Sequence, residues 1–201
     1  MNNIAILILA AGSSSRMKTP KQILKINNKF LLEIVIEKAL TIQKDNIFCV
    51  LGEKSDEIKQ KISFKNTQII INTQFKNGLS SSIISGIKHI TNNNLNCKGV
   101  LILLADQPAI ETNYLKALYQ LFKANNSKIV ASQYVHNFGV PAIFPKKYFS
   151  QLLFIKGDKG AKEFINTKKN DVICPKFDTN FIDIDTKEDF IQYKKSTLNK
   201  L

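Results

Sequence analysis

The residues best suited to chemistry follow the first apolar run of the sequence. Residues 9–21 read LAAGSSSRMKTPK and combine small residues with three serines, one arginine and two lysines. Gly12 and its small neighbours let backbone N–H groups approach phosphate oxygens, and Arg16 and Lys21 add positive charge. This composition predicts a loop that wraps a triphosphate. It matches neither the Walker A nor the GxGxxG pattern, so an ordinary solvated connection stays open as the alternative.

Asp106 is a second candidate, because it directly follows the most hydrophobic run of the chain in the segment LADQP. A carboxylate at the end of a buried strand can hold Mg²⁺ against phosphate oxygens. The alternative is that Asp106 only caps the next helix, but Thr112 is the better candidate for that cap. We therefore predict a metal-binding role for Asp106.

The third candidate is the acidic segment FIDIDTKED at residues 181–189 of an otherwise basic chain. Asp185 could supply a second oxygen ligand to the ion held by Asp106. Taken alone, the segment is typical of a helix start, with Asp185 or Thr186 as N-cap and two acidic residues in the first turn. Only the combination with Asp106 favours a metal site.

The elements that must position these residues alternate along the first two thirds of the chain. Short apolar runs predict strands at 4–9, 47–51, 68–71, 100–104 and 127–131. Helical spacing predicts helices at 30–40, 56–62, 79–90 and 114–122. This alternation predicts βαβ units in a doubly wound sheet with its ligand site at the carboxyl ends of the strands.

The last third of the chain is less regular. It predicts a strand at 141–144, helices at 146–154 and 159–165, a strand near Phe181 and Ile182, and a final helix from Thr186. No linker, repeat or low-complexity segment separates these elements from the rest. We therefore expect one domain over residues 1–201.

Composition narrows the class of protein. The chain has 201 residues, of which 44% are hydrophobic, and no run of 18 to 20 apolar residues that a membrane span requires. Its start has no basic segment before the apolar run, so we expect a cytoplasmic protein without a membrane partner. Cys49, Cys97 and Cys174 show no metal-ligand spacing, which predicts reduced thiols and no zinc site.

The net charge of +13 raises the question of nucleic-acid binding. The lysines are spread from end to end, there is no arginine cluster, and residues 145–148 contain a lysine pair followed by an aromatic residue. This pattern argues against a nucleic-acid partner. The charge would still favour small anionic substrates.

In this order, the three segments resemble the nucleotidyltransferases that build molybdopterin dinucleotide cofactors, especially the molybdenum cofactor cytidylyltransferase branch. LAAGSSSRMKTPK is similar to the signature LAAGxSxRMGxxK, ADQP to the aspartate segment after the fourth strand, and IDTKED to the ending IDTPED. The resemblance covers nearly the whole chain. It implies a Rossmann-like three-layer α/β/α fold whose mostly parallel sheet has one antiparallel strand.

The resemblance also implies roles for individual residues. Arg16, Lys21 and Asp106 would be catalytic, and Asp106 and Asp185 would hold Mg²⁺. The nucleotide would be bound by Leu9, Ala10, Ala11, Gly12, Ser13, Ser14, Arg16, Lys21, Asn77, Gly78, Ser80 and Ser81. The phosphorylated acceptor would be bound by Gly139, Pro141, Gly157, Asp158, Lys159 and Gly160.

Three positions bear on the branch. Lys18 replaces the usual glycine after Arg-Met, and Val140 stands where many cytidylyltransferases have histidine. Ala11 stands where the guanylyl branch typically has glycine, which favours CTP over GTP. A phosphate nucleophile is already ionised and needs no general base, so we expect His89 and His136 to be structural or solvated.

The expected function is Mg²⁺-dependent transfer of CMP from CTP to the terminal phosphate of molybdopterin or the molybdenum cofactor, with release of pyrophosphate. The NTP and a phosphorylated pterin would be the substrates, and a client molybdoenzyme could receive the product. Nucleotidyl transfer to a sugar phosphate or an isoprenoid-precursor phosphate remains an alternative, since one fold serves many substrates. A non-catalytic molybdenum cofactor carrier is the alternative from another class.

Overall fold

The computed structural model describes residues 3–12, 17, 19–158, 160–176 and 179–198. Their strands are β1 Ile4–Ala10, β2 Lys25–Ile26, β3 Lys29–Phe30, β4 Ile47–Leu51, β5 Gln68–Ile71, β6 Gly99–Leu104, β7 Ile129–Gln133, β8 Phe138–Pro145 and β9 Val172–Ile173. Their α-helices are α1 Leu31–Ile42, α2 Ser55–Lys61, α3 Leu79–Asn92, α4 Thr112–Ala124, α5 Phe149–Leu152, α6 Gly160–Thr167 and α7 Lys187–Leu198. Short 3₁₀ helices lie at Lys21–Ile23, Phe75–Asn77, Lys146–Tyr148 and Lys169–Asp171.

Seven strands form one sheet in the order β5-β4-β1-β6-β8-β7-β9, while β2 and β3 form a separate small hairpin. All seven run in the same direction except β8, which is antiparallel to both β6 and β7. This confirms the predicted α/β fold with a mostly parallel sheet and one antiparallel strand. After β5 the chain crosses to the other side of β1, so the strand order reverses beside β1, where open α/β sheets bind ligands.

The central strand β1 is buried along its full length because helices cover both faces of the sheet. Ile4, Ile6 and Ile8 pack into the core that includes α1 and α4. Ala5, Leu7 and Leu9 alternate with them and pack into the core that includes α3, α5 and α6. Each fully buried isoleucine or leucine stabilises the fold by about 1.5–3 kcal/mol. This packing holds the carboxyl end of β1 rigidly.

Two predictions in the last third of the chain are wrong or displaced. Residues 179–186 form no strand, and the edge of the sheet is β9 at Val172–Ile173. Phe181 instead stacks on Tyr134, with 4.6 Å between ring centroids. The backbone N–H of Ile182 is bonded to the side chain of Asn180, 3.1 Å away, rather than to a strand. The helix predicted at 146–154 divides into a 3₁₀ turn and the short α5.

The predicted helix cap at Thr112 is also wrong. Thr112 is the first residue of α4, and Glu111 precedes it in an extended conformation without a side-chain cap. At the final helix, by contrast, Thr186 is the N-cap. Its hydroxyl accepts from the Asp189 N–H at 3.1 Å, and Asp189 accepts from the Thr186 N–H at 2.8 Å. This capping box matches one of the two candidates that the sequence offered.

Within the described ranges, no helix combines the length and apolar composition that crossing a bilayer requires.

Candidate active site

The carboxyl ends of β1 and β6 meet because the two strands are adjacent and parallel. Leu9 lies opposite Leu104 in the register, and the Ala105 N–H donates to the Leu9 carbonyl at 3.1 Å. Ala11 and Gly12 therefore emerge from the sheet beside Asp106. The sheet itself brings the first and second candidate segments together.

Lys21 joins the two predicted metal ligands. Its Nζ lies 2.5 Å from Asp106 Oδ2 and 2.9 Å from Asp185 Oδ1. Asp106 and Asp185 therefore share one small volume although 79 positions separate them in the sequence, as the difference of their numbers shows. The convergence on which the predicted site depends is present.

Asp185 reaches this place because of the backbone on either side of it. The Ile184 N–H donates to the Asp106 carbonyl at 2.9 Å, and the Ile184 side chain is buried. Since Thr186 caps α7, the carboxylate of Asp185 is not needed at the helix terminus. It is directed at Lys21 instead.

The turn after Asp106 is held from two helices. Lys38 of α1 donates to the carbonyls of Pro108 and Ile110 at 2.5 and 2.6 Å. Tyr193 of α7 donates to the same Pro108 carbonyl at 3.0 Å. These bonds fix the start of the turn that carries Asp106, and none of these three contacts was predicted from the sequence.

The electrostatics of the cluster favour an additional cation. Burial lowers the pKa of Lys21, but Asp106 and Asp185 outweigh it and raise the pKa above its usual value. The Lys21 ammonium group lies within hydrogen-bonding distance of the Asp106 and Asp185 carboxylates, and Asp183 and Asp189 also interact with it electrostatically. Asp106 Oδ1 is buried and has no hydrogen-bond partner within the described residues. The carboxylates present therefore fit a hard divalent cation, which proteins commonly hold through one or two carboxylates plus phosphate oxygens.

No three His, Cys, Asp or Glu side chains of the described residues are grouped closely enough to hold a metal by themselves. Asp106 and Asp185 form a two-carboxylate arrangement in which a substrate phosphate would have to complete the coordination. That requirement suits a cation that arrives with a nucleotide.

A polar network beside this cluster, in which Gln107 is buried, Tyr134 partly buried and Asp183 exposed, was missed by the sequence reasoning. Gln107 is only 4% exposed, and its Nε2 donates to Asp183 Oδ1 at 2.7 Å and lies 3.2 Å from the Tyr134 hydroxyl. Burial raises the pKa of Asp183, the charges on Asp106 and Asp185 add to the rise, and the bond from Gln107 opposes it. Two sequence signals could have indicated this network: the polar Gln107 next to Asp106, and the repeated aspartate in the segment IDID at residues 182–185.

One cavity of about 460 Å³, here called cavity A, opens between β1 and the start of α3. Its lining residues are Ala11, Gly12, Glu53, Phe75, Lys76, Gly78, Leu79, Ser82 and Asp158. Ala11, Gly12 and Gly78 were predicted to bind the nucleotide. At Gly52 a Cβ would lie 2.7 Å from the Ala11 carbonyl, so the backbones of the β1 and β4 ends are in close contact there.

Other predicted nucleotide-binding residues do not line cavity A. Leu9 and Ala10 are buried in β1, and Asn77 ends the 3₁₀ turn before α3. Ser80 and Ser81 are buried, and the Ser81 hydroxyl donates to the Gly78 carbonyl at 2.8 Å. Ser82, one residue further on, lines the cavity instead. The predicted block therefore borders cavity A, and its nucleotide-binding role stays a prediction.

The predicted nucleotide and acceptor segments touch at Gly78. The Leu79 N–H donates to Asp158 Oδ1 at 3.1 Å, and the Ser80 N–H donates to the Gly157 carbonyl at 3.1 Å. Gly78 has φ +84° and ψ −177°, and a Cβ there would lie 2.6 Å from Asp158 Oδ1. Glycine is required at this junction by both conformation and space.

A second cavity of about 250 Å³, here called cavity B, adjoins cavity A, since Leu79 and Asp158 line both. Its other lining residues are Leu104, Gln107, Tyr134, Asn137, Gly139, Val140, Ala161, Lys162 and Asp183. Of the predicted acceptor residues, Gly139 and Asp158 line it. Pro141 lies behind it with its carbonyl bonded to Ser132 at 2.7 Å, and Gly160 packs against Ser80.

Five residues singled out by the sequence analysis lie outside the described residues. They are Ser13, Ser14, Arg16, Lys18 and Lys159. Of the two histidines, His89 lies in α3 with its ring 5.0 Å from Phe48, and His136 is exposed between β7 and β8. Neither lines cavity A or B.

A larger cavity of about 730 Å³, lined in part by Tyr114, Phe138 and Lys176, lies on the other side of Tyr134. Among the described residues, neither Lys21 nor Asp106 nor Asp185 lines it. These three residues do not line cavity A or B directly either, but the adjacent Gln107 lines cavity B and Gly12, just after β1, lines cavity A. Cavities A and B are therefore the ones next to the charged cluster.

The sheet order and the position of the charged cluster at its carboxyl edge define a protein of the Rossmann-like α/β class. The chain belongs to the family with the MobA-like NTP transferase domain, whose family model matches residues 6–172.

Three curated relatives illustrate the range of this similarity. The bifunctional protein GlmU of Buchnera aphidicola subsp. Schizaphis graminum is 28% identical over 71% of this chain, which spans 30% of that relative's length. The purine catabolism protein PucB of Bacillus subtilis is 24% identical over 94% of this chain and 95% of the relative. The probable molybdenum cofactor guanylyltransferase of Natranaerobius thermophilus is 28% identical over 96% of both chains.

Three solved structures share the fold. The homologue of Rv0371c from Mycobacterium sp. strain JC1 has a TM-score of 0.84 and 25% identity, and 98% of both chains is covered. Rv0371c of Mycobacterium tuberculosis H37Rv in complex with manganese has a TM-score of 0.78, 21% identity, and 96% and 99% coverage of the two chains. CMP:2-keto-3-deoxy-manno-octonic acid synthetase complexed with CTP has a TM-score of 0.73, 13% identity, and 99% and 100% coverage.

Proposed function

We propose that this nucleotidyltransferase transfers CMP from CTP to the terminal phosphate of molybdopterin or the molybdenum cofactor and releases pyrophosphate. One observation carries the proposal: Lys21 bridges the carboxylates of Asp106 and Asp185 at the carboxyl edge of the sheet. The neighbouring Gln107 lines cavity B, and Gly12, just after β1, lines cavity A. A nucleotide in cavity A and an acceptor in cavity B would bring their phosphates to the same charged cluster. Family membership supplies the reaction class.

Asp106 and Asp185 would hold the divalent cation, which we take to be Mg²⁺. When bound, this ion supplies positive charge that offsets the negative charge on the triphosphate. The ammonium group of Lys21 would then serve the triphosphate oxygens together with Arg16, as the motif resemblance implies. Both cations would stabilise the charge that builds up on the leaving pyrophosphate.

In the proposed reaction, an oxygen of the acceptor phosphate forms a bond to the α-phosphorus of CTP. The bond from that phosphorus to the bridging α–β oxygen breaks, and its electron pair leaves with pyrophosphate. The nucleophile is already ionised, so no proton has to be removed by a general base. The absence of both histidines from the lining of cavities A and B is consistent with this chemistry.

Ala11 is the support for CTP over GTP. Its side chain lines cavity A at the end of β1, where a methyl group takes space from a base. The name of the Natranaerobius relative favours a molybdenum cofactor acceptor but indicates guanylyl transfer. The choice of base must therefore be measured directly. One domain over 1–201, a cytoplasmic location and a client molybdoenzyme remain predictions.

The test is pyrophosphate release from the purified chain with CTP, GTP, UTP or ATP and Mg²⁺, against a panel of acceptors. Molybdopterin, a sugar phosphate and an isoprenoid-precursor phosphate cover the competing reactions. We expect turnover with CTP and molybdopterin, and an Asp106→Asn variant should be much slower while Asp56→Asn, an exposed carboxylate of α2, should not. Turnover only with the sugar phosphate or the isoprenoid-precursor phosphate would identify that compound as the acceptor. Binding of molybdopterin without any turnover would instead support a non-catalytic carrier.

A further inference from the structure

Asp183 stands in the wall of cavity B between the charged cluster and the space for the acceptor. We propose that Asp183 is a specificity-determining residue that accepts hydrogen bonds from an amino-amide edge of the acceptor's heterocycle. This inference rests on the proposed function and deepens it, because it names the chemical feature by which the acceptor is chosen.

The first support is the way in which the carboxylate is held. Gln107 donates to Asp183 Oδ1 at 2.7 Å from an almost fully buried position. The Tyr134 hydroxyl lies 3.2 Å from the same Gln107 nitrogen and donates to the Val140 carbonyl at 2.6 Å. This chain of bonds ties Asp183 to β8, so its orientation is fixed before any ligand binds. Preorganisation of this kind favours selective recognition.

The second support is the hydrogen-bonding capacity that remains. An ionised carboxylate only accepts hydrogen bonds and has about four acceptor positions. One is used by Gln107, and Asp183 is an exposed residue, so its remaining acceptor positions are accessible to a ligand. A ligand that donates one or two N–H groups would use this capacity, whereas a ligand that presents carbonyl oxygens would be repelled by it.

The third support is the shape and lining of cavity B. Its volume of about 250 Å³ is small, and Leu79, Leu104, Val140 and Ala161 provide apolar walls. Pockets for drug-sized ligands usually span about 300–1,000 Å³, so cavity B suits a compact ring system. A flat heterocycle with one polar edge matches apolar walls with a carboxylate at one side. A sugar, which carries hydroxyl groups all around, would leave several of them against apolar walls.

The test compares two ring systems that differ at that edge, measured by their own fluorescence on binding to the full chain. Pterin (2-amino-4-oxopteridine) presents an N–H and an adjacent amino group, whereas lumazine (2,4-dioxopteridine) has a carbonyl in place of the amino group. We expect pterin to bind about 10- to 100-fold more tightly, as one charge-assisted hydrogen bond provides. Asp183→Asn should remove most of this preference, and Glu188→Gln, an exposed carboxylate at the start of α7, should keep it.

Equal binding of pterin and lumazine to the unmodified chain, or no binding of either, overturns the proposal. A preference that survives in Asp183→Asn overturns it as well. If Asp183→Asn does not fold by circular dichroism, Asp183→Glu, which keeps the charge but moves it, should weaken the preference. Failure of the proposed function looks different: pterin is still preferred over lumazine, but no pterin phosphate supports pyrophosphate release from CTP.

Discussion

Cavities A and B, which share Leu79 and Asp158 in their walls, are built in different ways. Cavity A is bounded by strand ends, glycines and small residues such as Ala11, Gly12 and Gly78. Cavity B carries a network of long side chains, in which Gln107, Asp183 and Tyr134 come from distant parts of the chain. The difference suggests that one side accommodates a nucleotide through backbone shape, while the other selects its ligand through side-chain chemistry.

The largest loss of activity should follow from substituting Lys21, which contacts both Asp106 and Asp185. Lys21→Met removes the ammonium group between Asp106 and Asp185, so kcat/KM should fall about 100- to 1,000-fold, as for other groups that stabilise transition-state charge. Steady-state pyrophosphate release measures this loss. Lys59→Met, which removes an exposed ion pair on α2, is the matched control and should retain activity. A fall of less than about tenfold would contradict the role of the Lys21 ammonium group in stabilising transition-state charge.

The backbone character of cavity A is tested at Gly78. Gly78→Ala forces a side chain into a conformation that only glycine adopts readily and places its Cβ 2.6 Å from Asp158 Oδ1. We expect a loss of about 1–3 kcal/mol in the free energy of unfolding. Urea denaturation measures it. Gly157→Ala, where φ is +68° but nothing lies within 4 Å of the new Cβ, should lose less. Equal losses would mean that strain alone, not contact with Asp158, determines the junction.

The side-chain support of the turn that follows Asp106 is tested at Lys38. Lys38→Met removes the bonds to the carbonyls of Pro108 and Ile110 and leaves both with fewer donors. We expect the free energy of unfolding to fall by about 1–3 kcal/mol, with a smaller loss of kcat than for Lys21→Met. Lys61→Met on the exposed end of α2 is the control. An unchanged free energy of unfolding would show that the turn after Asp106 is stable without the hydrogen bonds from Lys38.

The smallest effect should appear at Ala11, where one methyl group lines cavity A. Ala11→Gly should raise the ratio of GTP to CTP turnover by about tenfold, the lower end of what one methyl group in a pocket provides. Competition between the two nucleotides in one reaction measures the ratio. A decrease in the ratio would mean that position 11 does not set the base preference.

The same contrast explains what could be predicted from the sequence. The run Ile4–Leu9 and the later apolar runs predicted the parallel strands, because buried strands need such runs on both faces. The segment at 181–182 resembled a strand through its alternating apolar residues, but its N–H groups are bonded to Asn180 and, at Ile184, to the Asp106 carbonyl. Periodicity identifies neither a side-chain partner two positions away, as for Ile182, nor a carbonyl 78 positions away, as for Ile184.

The candidate site was predictable to the same extent. Motif resemblance singled out Asp106, Asp185 and Lys21, and the structure places Lys21 within hydrogen-bonding distance of both carboxylates. Gln107 and Asp183 were not predicted, because their bond joins residues 76 positions apart and no local pattern marks it. Ser82 lines cavity A, whereas the sequence analysis named Ser80 and Ser81. The direction in which a residue at a helix start points depends on the rotation of α3, which the sequence does not show.

The central claim is that Asp106 and Asp185 hold one divalent cation together. Manganese titration followed by electron paramagnetic resonance, with CTP present, tests it most directly. The account predicts one tight site in the unmodified chain and in Asp56→Asn, with at least tenfold weaker binding in both Asp106→Asn and Asp185→Asn. Unchanged manganese affinity in either of the two site variants would contradict it.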